Sequence, residues 1–122
     1  MYFFIQGTKT TPSAIINNGY MKIAGNSTPL EENNEFFGHL NKQMNLYSQQ
    51  PANKTHLDIQ LTHVNATAKR NIIEMLKSLE KLNKQGFQVV IRWHHTADDD
   101  DVLELGEIFS SMFEIEFEFM AA

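Results

Sequence analysis

The chain alternates between two hydrophobic periods. In some blocks apolar residues recur at every second position, and in others at every third or fourth. Tyr2 to Ile5 is a short apolar run stopped by Gly7, which predicts a first strand. Ser13 to Ile16 and Tyr20 to Ala24 flank Asn17-Asn18-Gly19. Asn-Gly tolerates the positive φ of a tight turn, so a hairpin of a second and a third strand is expected there. His56 to Val64 alternates, with Leu57, Ile59 and Leu61 pointing one way and Asp58, Gln60 and Thr62 the other. Phe87 to Trp93 reads as a further strand. The last one is expected from Phe113, Ile115, Phe117 and Phe119, which alternate with Glu114, Glu116 and Glu118 to give one buried and one wet, acidic face.

Three helices fall between these strands. Thr28-Pro29-Leu30-Glu31 has the form of a capping box with proline at the first helical position. Behind it Phe37, Leu40, Met44 and Tyr47 recur at helical spacing, and the helix is expected to end near Gln49-Gln50, before Pro51. Asn65 precedes the longest pattern, Ile72, Met75, Leu76, Leu79 and Leu82, which Gly86 closes. Asp98 to Asp101 open a third helix with Val102, Leu105, Ile108, Phe109 and Met112 inward; carboxylates at a helix start are favoured by its dipole. The order β-β-β-α-β-α-β-α-β predicts an α/β fold with a mixed, largely parallel sheet and about three helices. No linker, repeat or low-complexity tract divides the chain, so residues 1–122 are expected to form a single domain.

Composition narrows the functional classes. The 122 residues are 42% hydrophobic and 20% charged, which suits a globular chain. With no cysteine, there is neither a disulfide framework nor a thiolate metal site, which fits a cytoplasmic location. The net charge of −5 and the scattered Lys and Arg argue against nucleic acid as a partner; Lys69-Arg70 is the nearest thing to a basic cluster. No apolar run approaches the roughly 20 residues of a membrane span. The start lacks the basic region of a signal peptide.

Catalytic chemistry finds little purchase. There is no Gly-x-Ser-x-Gly elbow, no cysteine and no phosphate-cradling glycine loop. His94 and His95 precede an aspartate run, but adjacent residues at a strand end point to opposite faces, away from a shared ion. His39, His56 and His63 lie on different elements without metal-ligand spacing. Glu31-Glu32 and the aspartate run read as caps. No catalytic residue, metal or cofactor is therefore assigned, and a protein-binding domain is expected. Val64-Asn65-Ala66-Thr67 stands apart: it joins a strand to the longest helix, so Thr67 falls in the first turn near exposed N–H groups. A hydroxyl there can be phosphorylated, or Thr67 can be a helix-start residue with no further role.

Four stretches together resemble the SiaC family of bacterial regulatory phosphoproteins, whose fold is similar to the STAS domain of anti-sigma-factor antagonists. They are Ile5-Gln6-Gly7-Thr8 with Thr11-Pro12; Ile23-Ala24-Gly25-Asn26-Ser27 through Pro29 and Glu31 to Phe36-Phe37; Val64 to Thr67; and Arg92-Trp93-His94-His95 followed by Asp99, Asp101, Glu104 and Gly106-Glu107. The resemblance implies a protein without catalysis of its own that binds and activates a diguanylate cyclase. It implies a kinase that phosphorylates the switch segment at the helix start and a phosphatase that reverses this. The family's acceptor threonine directly follows the asparagine, a position held here by Ala66, and Thr67 aligns with the neighbouring serine. Either Thr67 is the acceptor or the protein is not phosphorylated at this segment. Asn65, Ala66 and Thr67 are thus the candidate switch residues, with Lys69, Arg70 and Thr28 as candidate partner contacts. The other readings are a STAS-like scaffold or anti-sigma-antagonist-type binding module without phosphorylation, and a small-ligand-binding domain.

Overall fold

The Asn-Gly turn forms as its residues require. Asn18 (φ 44°) and Gly19 (φ 95°) both take positive φ, and Asn17 pairs with Tyr20 across a two-residue loop. This hairpin joins β2 (Ser13–Asn17) to β3 (Tyr20–Asn26), and β1 (Tyr2–Ile5) pairs antiparallel with β2. The computed structural model describes residues 2–26 and 31–121, apart from the side chains of residues 31–34 and 63. The proposed capping box at Thr28 and Pro29 lies outside the described residues. Next come α1 (Glu31–Gln49), β4 (Lys54–His63), α2 (Ala66–Lys84), β5 (Gln88–His95), α3 (Asp100–Met112) and β6 (Glu116–Ala121).

All six strands belong to one sheet in the order β1-β2-β3-β4-β5-β6. The pairs from β3 to β6 are parallel, as the strand–helix alternation predicted. Each parallel pair is closed by one helix, and the three crossovers step the same way along the sheet. The right-handed rule then places α1, α2 and α3 on one face. That face carries the core. Met21, Ile23, Leu57, Ile59, Leu61, Val89, Ile91 and Trp93 from the strands bury against Phe37, Leu40 and Met44 of α1, Ile72, Met75 and Leu79 of α2, and Val102 and Phe109 of α3. Polar groups inside this layer are matched: the Tyr47 hydroxyl lies 2.8 Å from Thr55 Oγ1 and accepts from the Ala52 N–H.

The last strand begins later than the alternation suggested. Phe113 to Ile115 are not in the sheet, because Glu114 is held by the end of α2: its N–H donates to Glu80 Oε2 at 2.7 Å, and its carbonyl accepts from Asn83 Nδ2 at 3.1 Å. Asn83 Oδ1 also accepts from the Val89 N–H, so one side chain ties α2, β5 and the approach to β6 together.

At the centre of the α3 contact, Trp93 is fully buried. It donates from Nε1 to the Val102 carbonyl at 2.8 Å and meets Phe109 edge to face at 5.7 Å. The indole lies flush against Gly106, where a Cβ would stand 2.4 Å from Trp93 Cδ1. Neither the sheet nor the helix can retreat without opening the core. Gly106→Ala is therefore expected to cost about 1–3 kcal/mol, the usual range for overpacking. A lowered urea midpoint with an unchanged m-value checks it.

Candidate functional site

In a parallel sheet the helices start where the strands end, so the carboxyl ends of β3, β4 and β5 and the starts of α2 and α3 gather at one edge of the molecule. The two helix starts differ in charge. At α3, Asp99 accepts from the Val102 N–H at 3.1 Å and is followed by Asp100 and Asp101. At α2, Asn65 caps instead, its Oδ1 accepting from the Ala68 N–H at 2.8 Å, and the first turn holds no acidic residue. The N-terminal positive potential is thus cancelled at α3 and left open at α2.

The structure brings the sequence-predicted switch residues together there. Ala66 is exposed, Thr67 half-buried, and Lys69 and Arg70 exposed just behind them. Among the described residues, Asn65 Nδ2 is buried without an acceptor. Thr28 lies outside the described residues. The sequence reading missed what anchors the segment from behind. Asn71 Nδ2 donates to the Thr67 carbonyl at 2.8 Å, and Asn41 Nδ2 on α1 donates to Asn71 Oδ1 at 2.9 Å. Asn71 stands four residues after Thr67, the one local signal that could have marked it. On the strand side, Thr62 Oγ1 donates to Asn26 Oδ1.

A second polar group lies on the helix-free face of the sheet. Alternation put Asp58 on the solvent side of β4, and it does face away from the helices, yet its exposure is only 6%. Neighbouring strands enclose it: His94 Nε2 lies 2.8 Å and Arg92 Nη1 3.9 Å from its carboxylate. Tyr20 hydrogen-bonds to the same carboxylate. Burial first, then the Asp58 charge and that hydrogen bond, hold the Tyr20 phenol above its ordinary value of 10.0, with Arg92 pulling the other way. His95 turns from His94, its Nδ1 lying 3.3 Å from the Thr96 carbonyl. His39 is exposed, and His56 Nδ1 is buried with no partner among the described residues. The described residues contain no group of three or more metal-ligating side chains. A shallow cavity of about 70 Å³ lies between Gln60, Thr62, His94, His95 and Asp99. That is far below the roughly 300–1,000 Å³ of sites for small organic ligands. No helix among the described residues is long and apolar enough to cross a membrane.

A mixed, largely parallel six-stranded sheet with three helices, and an asparagine-capped helix start at its carboxyl edge, places the chain among small α/β proteins. Within that class the chain belongs to the SiaC family of regulatory phosphoproteins, which it matches over residues 5–122. It is 30% identical over 108 residues to an uncharacterized protein of Pseudomonas aeruginosa strain UCBPP-PA14, covering 86% of this chain and 84% of that one. Two solved structures from Pseudomonas aeruginosa are similar throughout. One is SiaC itself (TM-score 0.88, 26% identity, 100% of this chain and 99% of the other). The other is the diguanylate cyclase SiaD in complex with its activator SiaC (TM-score 0.87, 26% identity, 98% and 99%).

Two outcomes follow from this geometry. Asn65→Ala removes the α2 cap and is expected to lower stability by about 1 kcal/mol, read from urea unfolding. For Tyr20, the folded chain keeps its proton above pH 10.0 while the unfolded chain loses it. Its contribution to stability is thus complete below that pH and is lost as the pH rises through the folded value. Urea midpoints taken from about pH 9 to about pH 11 should fall more steeply for the parent protein than for Tyr20→Phe.

Proposed function

We propose that this chain is a non-catalytic cytoplasmic regulator that binds a diguanylate cyclase and stimulates it, and that a phosphoryl group on Thr67 releases it. The observation that carries this reading is the likeness, along nearly the whole chain, to SiaC bound as activator to SiaD. The α2 start is the binding surface: Asn65, Ala66 and Thr67 form a modestly polar patch that a partner can cover at little cost, with Lys69 and Arg70 at its rim.

The same place suits a switch. A phosphoryl group brings a charge of about −1.5 to −2, which in the free protein meets the open helix dipole and the cations one turn away. Buried beneath a partner, that charge is costly to desolvate unless a matching cation is supplied. A penalty of ~3 kcal/mol weakens binding more than a hundredfold without any change of fold. A kinase and an opposing phosphatase complete the circuit in this reading. One observation favours a second reading: Ala66 stands exposed at the family's acceptor position, so a chain that is never phosphorylated here would stay permanently competent to bind.

Calorimetry against the diguanylate cyclase SiaD separates them. Thr67→Ala should bind as the parent does, and Thr67→Glu at least about tenfold more weakly. Equal affinities would remove Thr67 as the switch while leaving cyclase binding intact. Loss of binding by the parent chain would remove the cyclase as partner.

A further inference from the structure

Charge is distributed very unevenly along the fold. Residues 98–121, which form α3 and β6, hold nine of the fifteen Asp and Glu residues and none of the ten Lys and Arg. This acidic pole coincides with an open sheet edge, because β6 is the last strand in the order and pairs only with β5 among the described residues. We propose that the outer edge of β6 is a docking surface for a strand of a protein partner in which lysine or arginine alternates with apolar residues.

The two faces of β6 specify that alternation. Glu118 stands beside Arg92 in the register, 3.5 Å from its Nε, so Glu116 and Glu118 lie on the helix-free face. Phe117 and Phe119 lie on the helix face with ring centroids 6.2 Å apart. Phe117 is packed against the core, whereas Phe119 is 38% exposed and Met120, next along the strand, 41%. An added strand would satisfy the outward N–H and C=O groups of β6 and bring its side chains to about 4.5–5.5 Å from their neighbours. Cations are then favoured beside Glu116 and Glu118, and an apolar residue beside Phe119.

The same glutamates disfavour a second copy of this chain. Two-fold antiparallel pairing of β6 with itself sets all of them on one face, opposite or diagonal to one another, and like charges so placed repel. An edge that was merely guarded would need the charges but not the half-exposed aromatic ring. This surface is separate from the α2 start, and its test does not depend on the cyclase.

The probe is a fluorescein-labelled ten-residue peptide of alternating lysine and valine, with a glutamate–valine peptide as control, titrated with the full chain at physiological salt. Anisotropy should show saturable binding at least about tenfold tighter for the lysine peptide. Amide hydrogen exchange should slow in β6. Glu116→Lys/Glu118→Lys should weaken binding at least about tenfold, with the milder Glu116→Gln/Glu118→Gln changing it in the same direction. Asp98→Lys/Asp100→Lys, an equal charge change at exposed positions away from the strand, should stay within about twofold. Unprotected β6 amides, equal binding of both peptides, or an equal loss in the Asp98/Asp100 variant would each overturn the proposal. So would self-association of the parent chain through β6, seen by sedimentation and abolished by Glu116→Lys/Glu118→Lys.

Discussion

Two parallel strands cannot be joined by a tight turn. The chain must cross the sheet and return, and the crossover has a strong preference for one hand. Here that constraint operates three times in succession and always in the same direction, since β3, β4, β5 and β6 are neighbours in both sequence and space. One face receives every helix and the core, while the other keeps its polar side chains. The helix starts collect at the carboxyl edge, where the cap chemistry of each becomes the chemistry of that edge. What distinguishes the α2 start is therefore its content: an asparagine cap and no carboxylate in the first turn, beside an α3 start crowded with them.

Much of this arrangement was legible in the sequence because it rests on local chemistry. Asn18-Gly19 dictates a turn through its own backbone preferences, and the Ile72 to Leu82 stripe dictates a helix through its period. Asn65 marks a helix start because its side chain bonds three residues ahead. The features that were not legible join residues far apart along the chain. Alternation in β4 gave the side on which Asp58 lies but not its burial, which depends on Tyr20, Arg92 and His94 from the flanking strands. The Asn41–Asn71 bond crosses two helices and reaches the Thr67 carbonyl. The late start of β6 follows from Glu80 and Asn83, more than thirty residues before Glu114. The asparagine cap of α2 was legible in the sequence, whereas the bonds that hold the helix start in place were not.

The molecule also has a polarity that net charge conceals. A total of −5 reads as mildly acidic, yet it is the balance of a strongly acidic α3–β6 region and a basic remainder. The α2 start carries Lys69 and Arg70 within reach of a candidate modification site, and the β6 edge carries paired glutamates beside an exposed ring. Surfaces of opposite sign on different elements can meet different partners, or different parts of one partner, without competing for the same residues.

The packing of Trp93 has an optical consequence. It is the only tryptophan in the chain, sealed from water and hydrogen-bonded through its indole N–H. Its emission is an internal gauge of how α3 sits on the sheet. In the β5–β6 register its neighbour is Phe119, so a molecule seated along β6 disturbs the residue directly beside the fluorophore. The cap of α2 is an asparagine on another element, and occupancy there leaves the indole's immediate surroundings untouched. One intrinsic signal thus distinguishes events at the two surfaces without any added label.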